Sequence, residues 1–202
     1  MNRSLSLLIG VILTVSASFV GLVIIPDWQF EPLEPVQLDD GTTVPQEPTG
    51  DVAEGRMIYS ELGCIYCHSQ QVRPETFGAD QERGWGPRQT EPVDHIYDNP
   101  PLLGTMRTGP DLANIAARQP SREWHHLHLY NPVITSPGSI MPPHRFLYES
   151  IPRRDGQRPD NALDLPEEYA DPDRWIVPTE RAEALVDYLL SLDHTYPTDR
   201  GQ

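Results

Sequence analysis

Cys64-Ile65-Tyr66-Cys67-His68 is the stretch on which the reading of this chain turns. C-x-x-C-H is the attachment signature of a c-type haem. Two thiols three positions apart on one helical turn can each form a thioether to a haem vinyl group, and the adjacent imidazole can bind the iron. Cys64 and Cys67 are the only cysteines in 202 residues, which leaves none for a disulfide or a second such haem. A redox dithiol would leave His68 without a role. A structural zinc site needs four ligands, usually a second Cys/His pair. The expectation is one covalent haem c, with Cys64 and Cys67 as thioether donors and His68 as an axial ligand.

Working outward, the N-terminal side supports export of this motif. No charged residue occurs from Ser4 to Ile25, only Leu, Ile, Val, Phe, Ala, Gly, Ser and Thr. Such a run forms a helix of about 30 Å, enough to cross a bilayer's hydrocarbon core. A cleaved signal peptide would have a shorter apolar region ending at an A-x-A-like site. Here the run continues to Pro26, which favours an uncleaved anchor. Arg3 precedes it and Asp27, Glu31 and Glu34 follow, so the positive-inside rule predicts a cytoplasmic N-terminus and a haem domain on the outer, periplasmic-type side of the membrane.

Charge narrows the partners. All 15 basic residues are arginine, against 30 acids. Only Arg3 lies ahead of the apolar run, so the remainder holds 14 arginines and all 30 acids, a formal charge of −16. Such a surface excludes nucleic acid as a partner and would steer a basic donor protein towards it.

Three segments follow from composition: a tail and transmembrane anchor over 1–25, a Pro-rich linker over 26–50, and a haem domain over 51–195. The linker holds Pro26, Pro32, Pro35, Pro45 and Pro48 and reads as an extended spacer. Asp51, with Glu54 three residues on, reads as a capping box opening a helix over 52–62 that Gly63 ends. Thr179 reads as the cap of a second helix with Ala182, Leu185, Val186, Leu189 and Leu190 on one face. A short helix is predicted from Ser121 to Leu129. The rest is rich in Pro and Gly with no alternating strand pattern, so the predicted class is all-α with long loops.

The iron's sixth position has several candidates. Met141 sits in Met141-Pro142-Pro143, where the prolines would stiffen a loop and hold a thioether in place. Met106 lies in a polar loop. His125, His126, His128 and His144 are rivals, and the first and third of these lie three apart as a conceivable metal pair. Arg73 and Arg107 could pair with haem propionates.

Thr108-Gly109-Pro110-Asp111-Leu112 resembles the Gly-Pro-Asn/Asp-Leu loop of class I cytochromes c. That resemblance implies a cytochrome c-like domain in which the Pro110 carbonyl accepts the Nδ1–H of His68. A narrower likeness rests on Gly63 to Pro74, on Arg107 to Leu112, on Trp124, on His128-Leu-Tyr-Asn-Pro132 and on Ser139-Ile-Met-Pro142. Together they are similar to the mono-haem cytochrome c subunit (subunit II) of cbb3-type cytochrome c oxidases. The likeness covers the anchor and roughly residues 51–149, whereas the acidic stretch from Arg153 to Pro178 has no clear counterpart. The resemblance implies an electron-transfer subunit in the bacterial inner membrane, with no oxygen-reducing site of its own. It would pass electrons from a soluble donor or a multi-haem cytochrome c subunit to a haem-copper oxidase catalytic subunit. The same parts also build the small cytochrome c subunit of nitric oxide reductase, or a free membrane-tethered electron shuttle.

Overall fold

The computed structural model describes residues 3–29, 33–153 and 157–198. Glu31 and Pro32 of the expected linker lie outside the described residues, as do positions 154–156 of the acidic stretch. Two compact units divide the chain, Met1–Pro35 and Val36–Gln202.

The first unit is one apolar helix, long enough at Arg3–Gln29 to cross a membrane and with none of its side chains buried. Helix α1 (Arg3–Phe19) passes through a π turn (Val20–Ile24) into α2 (Ile25–Gln29). Pro26 accounts for the wide turn. It has no N–H to give and its ring crowds the carbonyl four residues earlier, so the preceding turn opens. The helix therefore runs past the predicted end at Ile25.

The second unit begins with a hairpin where an extended spacer was expected. Strands β1 (Val36–Gln37) and β2 (Thr43–Val44) pair antiparallel with Val36 opposite Val44. Gly41, at φ +84°, supplies the left-handed residue of the turn, and the Thr42 N–H donates to Asp40 Oδ1 at 2.8 Å.

Helix α3 (Gly50–Glu61) starts two residues earlier than predicted. Thr49 is its N-cap and makes no side-chain cap bond, so Asp51 sits inside the first turn. There its carboxylate faces the positive end of the helix dipole, which favours it without a capping box. Gly63, at φ +72°, closes the helix as expected. Long irregular segments then lead through α4 (Ile115–Arg118) to α5 (Arg122–Tyr130), where Ser121 Oγ accepts the Trp124 N–H at 3.2 Å.

The all-α expectation is corrected by strands. Besides the first hairpin, β3 (Tyr148–Pro152) and β4 (Arg174–Pro178) pair antiparallel along their whole length. Each is five residues with a terminal proline, and neither alternates cleanly between buried and exposed positions. The period-2 signal that would betray a strand is absent. Strand β4 delivers the chain to Thr179, whose Oγ1 accepts the Ala182 N–H at 3.3 Å and opens α6 (Glu180–Ser191).

The core lies where α3 crosses α6. Ile58 and Tyr59 from α3 meet Ala184, Leu185 and Tyr188 from α6, and the Tyr59 and Tyr188 rings touch edge to face at 5.4 Å. Gly55 permits the approach. A Cβ there would lie 1.9 Å from the Ala184 carbonyl oxygen and 2.7 Å from Tyr188 Cβ. Gly55→Ala should therefore force the helices apart and cost about 2 kcal/mol, within the range for overpacking. Chemical denaturation of the full chain in detergent checks this as a lowered midpoint.

Candidate functional site

Gly63 turns the chain out of α3 into a 3₁₀ turn over Cys64–Tyr66. The Cys67 and His68 N–H groups both return to the Cys64 carbonyl, at 3.1 and 3.0 Å. The motif is thus one tight turn that presents Cys64 half-buried and Cys67 exposed. Burial pushes the Cys64 thiol up to about 11.

The segment after His68 is laced to residues 107–112. The Gly109 N–H donates to the Cys67 carbonyl at 2.8 Å and the Leu112 N–H to the Ser69 carbonyl at 2.7 Å. Between them, His68 Nδ1 lies 2.7 Å from the Pro110 carbonyl oxygen, which carries no proton and can only accept, and so fixes Nδ1 as the donor. Burial lowers the His68 pKa, although the Pro110 carbonyl pulls the other way. A neutral ring with Nδ1–H committed leaves Nε2 as the nitrogen with a free lone pair. Gly109 is the reason the ring fits, since a Cβ there would stand 2.2 Å from His68 Cε1.

A cavity of about 560 Å³ opens beside this turn. Cys64, Cys67, His68, Pro110 and Met141 all line it, with apolar walls from α6 (Leu185, Leu189), α5 (Leu129) and the loop before α4 (Leu112). Met141 comes in on the loop that follows α5. Its N–H donates to Ser139 Oγ at 3.2 Å, and the His144 N–H ties the far end of that loop to the Leu129 carbonyl at 2.8 Å.

The other sequence candidates divide. His125 and His128 line the same cavity. The first donates Nε2–H to the Gln119 carbonyl at 2.9 Å; the second has Nδ1 2.6 Å from Thr135 Oγ1 and its ring stacked on Trp124 at 4.7 Å. Burial and the neighbouring His68, His125 and His144 push the pKa of His128 down to about 4. No cluster of three or more His, Cys, Asp or Glu suited to a metal occurs among the described residues. Met106 is exposed and stands apart from the cavity, as do His126, buried against Tyr148 and Glu183, and His144.

Neither Arg73 nor Arg107 lines the cavity. The Arg73 guanidinium sits over the Phe77 ring at 5.3 Å. That of Arg107 is spent within the protein, on Ser69 Oγ at 2.8 Å and on Asp80 Oδ1 and the Gln71 carbonyl at 2.5 Å each. The arginine that does reach the cavity is Arg118 at the end of α4. It donates one NH2 to the Asp111 carbonyl, and its buried Nε has no partner among the described residues. Sequence reading missed Arg118 because nothing local to it points to a ligand.

These residues fit a haem. Two thiols and an imidazole line one apolar cavity, a thioether enters from another loop, and Arg118, with a guanidinium N–H unpartnered among the described residues, stands in its wall. No curated protein matches the chain significantly. The family model for cytochrome c oxidase, mono-heme subunit/FixO, matches residues 2–162, a span that includes every one of these cavity residues except those of α6. The chain belongs to the cytochrome c oxidase mono-haem subunit/FixO family.

Proposed function

We propose that this chain is a membrane-anchored c-type cytochrome that passes electrons through one covalently held haem c to the oxygen-reducing catalytic subunit of a cbb3-type oxidase. The observation that carries the reading is the single cavity shared by Cys64, Cys67, His68 and Met141, with His68 Nδ1 held by Pro110. Bound there, the group supplies one-electron chemistry at its iron.

The chain's residues have separable tasks in this reading. Cys64 and Cys67 would hold the haem through thioethers, and His68 Nε2 and Met141 Sδ would ligate its iron. Pro110 orients the His68 ring and raises its basicity through the Nδ1 hydrogen bond. Arg118 meets a propionate, the task the sequence had suggested for Arg73 or Arg107. Leu112, Leu129, Leu185 and Leu189 exclude water, and a thioether ligand in a dry site favours a higher reduction potential. Ligated by both His68 and Met141, the iron would offer no position for oxygen to bind. The close crossing of α3 and α6 at Gly55 supports a class I cytochrome c-like arrangement.

The apolar helix is the anchor, with Arg3 on the cytoplasmic side and the haem domain outside. The domains run 1–25, 26–50 and 51–195 in this reading, the β1–β2 hairpin lying in the linker. Partners are the membrane catalytic subunit, a multi-haem cytochrome c subunit, and a basic donor attracted by the acidic surface. The family assignment favours this reading over a nitric oxide reductase subunit or a free shuttle.

Purification of the full chain from its native membrane in mild detergent tests this. Haem b bands beside haem c, with cyanide-sensitive oxygen uptake, are expected. Nitric oxide uptake alone, or a lone c-type band with no partner in the gentlest detergents, would overturn it.

A further inference from the structure

His128 lines the cavity and has no task in the function above. It lines the same space as His68 and Met141. Thr135 Oγ1, 2.6 Å from its Nδ1, has the Pro132 carbonyl within 3.4 Å as an acceptor for its own hydroxyl proton. Nδ1–H is then the donor to Thr135, and Nε2 is the unprotonated nitrogen. That Nε2 makes no hydrogen bond among the described residues. His125 differs in this respect, because its Nε2 is already committed to Gln119. The Trp124 ring lies nearly parallel to His128, at 8° and 4.7 Å, and restrains its plane.

A neutral imidazole with its plane fixed, its Nδ1–H satisfied and its Nε2 lone pair free has the pattern of a metal-ligating histidine whose second nitrogen is anchored by a hydrogen bond. In the reading above, Met141 holds the position such a ligand would take. Met141 is also the more dispensable group. It sits on an irregular loop next to the exposed Ile140, and oxidation would turn its thioether into a polar sulfoxide.

We propose that His128 is a reserve axial ligand: when the Met141 thioether is lost, His128 Nε2 binds at the sixth position in its place. One iron–sulfur bond is replaced by one iron–nitrogen bond, with no electron or proton transferred, because Nε2 carries no proton. The consequence is that the position stays closed to small gases after damage to Met141. This inference rests on the reading of the cavity as the haem site.

The test uses the full chain matured with haem in its native membrane, as Met141→Ala, Met141→Ala/His128→Gln and Met141→Ala/His144→Gln. Electron paramagnetic resonance of the oxidised form and carbon monoxide binding to the reduced form are the readouts. Met141→Ala is expected to stay low-spin with a two-imidazole signal and to bind carbon monoxide at least tenfold more slowly than Met141→Ala/His128→Gln. That double variant should be high-spin and return to low-spin on adding free imidazole, which shows that its pocket is intact. The His144 double variant should match Met141→Ala.

A high-spin Met141→Ala as reactive as the His128 double variant would overturn the proposal, as would a high-spin state produced only by losing His144. Should the His128 double variant carry no haem, the signal of Met141→Ala decides alone: two-imidazole supports the proposal, high-spin sinks it. The underlying reading fails differently. Absence of covalent haem from the unaltered chain, or a two-imidazole signal in it, would show that the cavity or its Met141 ligand had been misassigned.

Discussion

Gly109→Ala is expected to yield little stable haem-bearing protein. Its Cβ would stand 2.2 Å from His68 Cε1 and 2.7 Å from both ring nitrogens, far inside van der Waals contact. Neither side can give way cheaply. The Gly109 N–H is pinned to the Cys67 carbonyl at 2.8 Å, and the next residue, Pro110, accepts from His68 Nδ1. His68 follows Cys67 directly, so a ring pushed aside leaves both its hydrogen bond and its place in the cavity. The cost is about 3 kcal/mol, the upper part of the overpacking range, and it falls on the groups proposed to hold the haem. Haem staining after a denaturing gel measures covalent attachment, and the absorbance ratio of haem to protein measures occupancy. Gly78→Ala is the control, since a Cβ there would meet only Arg73 and Asp80 side-chain atoms at ordinary contact distances of 3.6 Å or more. Full haem content and an unshifted spectrum in Gly109→Ala would show that His68 does not occupy the position described.

The parts of this site that sequence disclosed are those whose chemistry is local. Cys64, Cys67 and His68 are consecutive in function and nearly so in sequence, and the turn that shapes them is announced by Gly63. The cap at Thr179 was legible for the same reason, being a hydroxyl serving an amide three residues on. Thr49 was not, because it makes no side-chain cap bond and Asp51 carried the stronger capping signal.

Long-range destinations were invisible. A guanidinium has five N–H donors and a long reach, and nothing beside Arg107 in sequence says that its partners are Ser69, Gln71 and Asp80. Nor does anything beside Arg118 say that it faces the cavity. Strands β3 and β4 pair across 21 intervening residues, and their register depends on Thr179, whose N–H and hydroxyl both donate to the Leu147 carbonyl. Two distant residues did carry a readable signal: Met141, set off by two prolines, and Pro110, through the likeness of its loop to that of class I cytochromes c.

Arg107→Ala follows from the reassignment of that side chain. Arg107 joins the segment after His68 to the Pro110 loop through Ser69, Gln71 and Asp80, and lies over the Trp85 ring at 5.2 Å. Asp111, fully buried, completes the tie by accepting from Ser69 Oγ at 2.6 Å and the Gln71 N–H at 2.7 Å. Truncation leaves Asp80, itself 2% exposed, with the Arg73 N–H and the Arg73 charge as the remaining groups that favour its ionised form. Breaking a buried pair on one side costs about 3 to 5 kcal/mol, chiefly from the stranded charge. The loss should also depend on pH. Burial alone would raise the Asp80 pKa, but the Arg107 hydrogen bond and the Arg73 N–H outweigh it and hold the carboxyl below its ordinary value. A depressed carboxylate contributes stability that is fully present above its unfolded value of about 4 and is lost as pH falls through the folded one. Protonation of Asp80 removes the attraction in the parent chain and relieves the stranded charge in the variant. The two unfolding curves should therefore lie far apart at pH 7 and draw together below about pH 4. A propionate partner would behave otherwise: Arg107→Ala would then leave the unfolding of the polypeptide nearly unchanged at pH 7 and shift the haem potential instead. Denaturation monitored by tryptophan fluorescence at both pH values, beside a redox titration of the same samples, separates the two roles of Arg107.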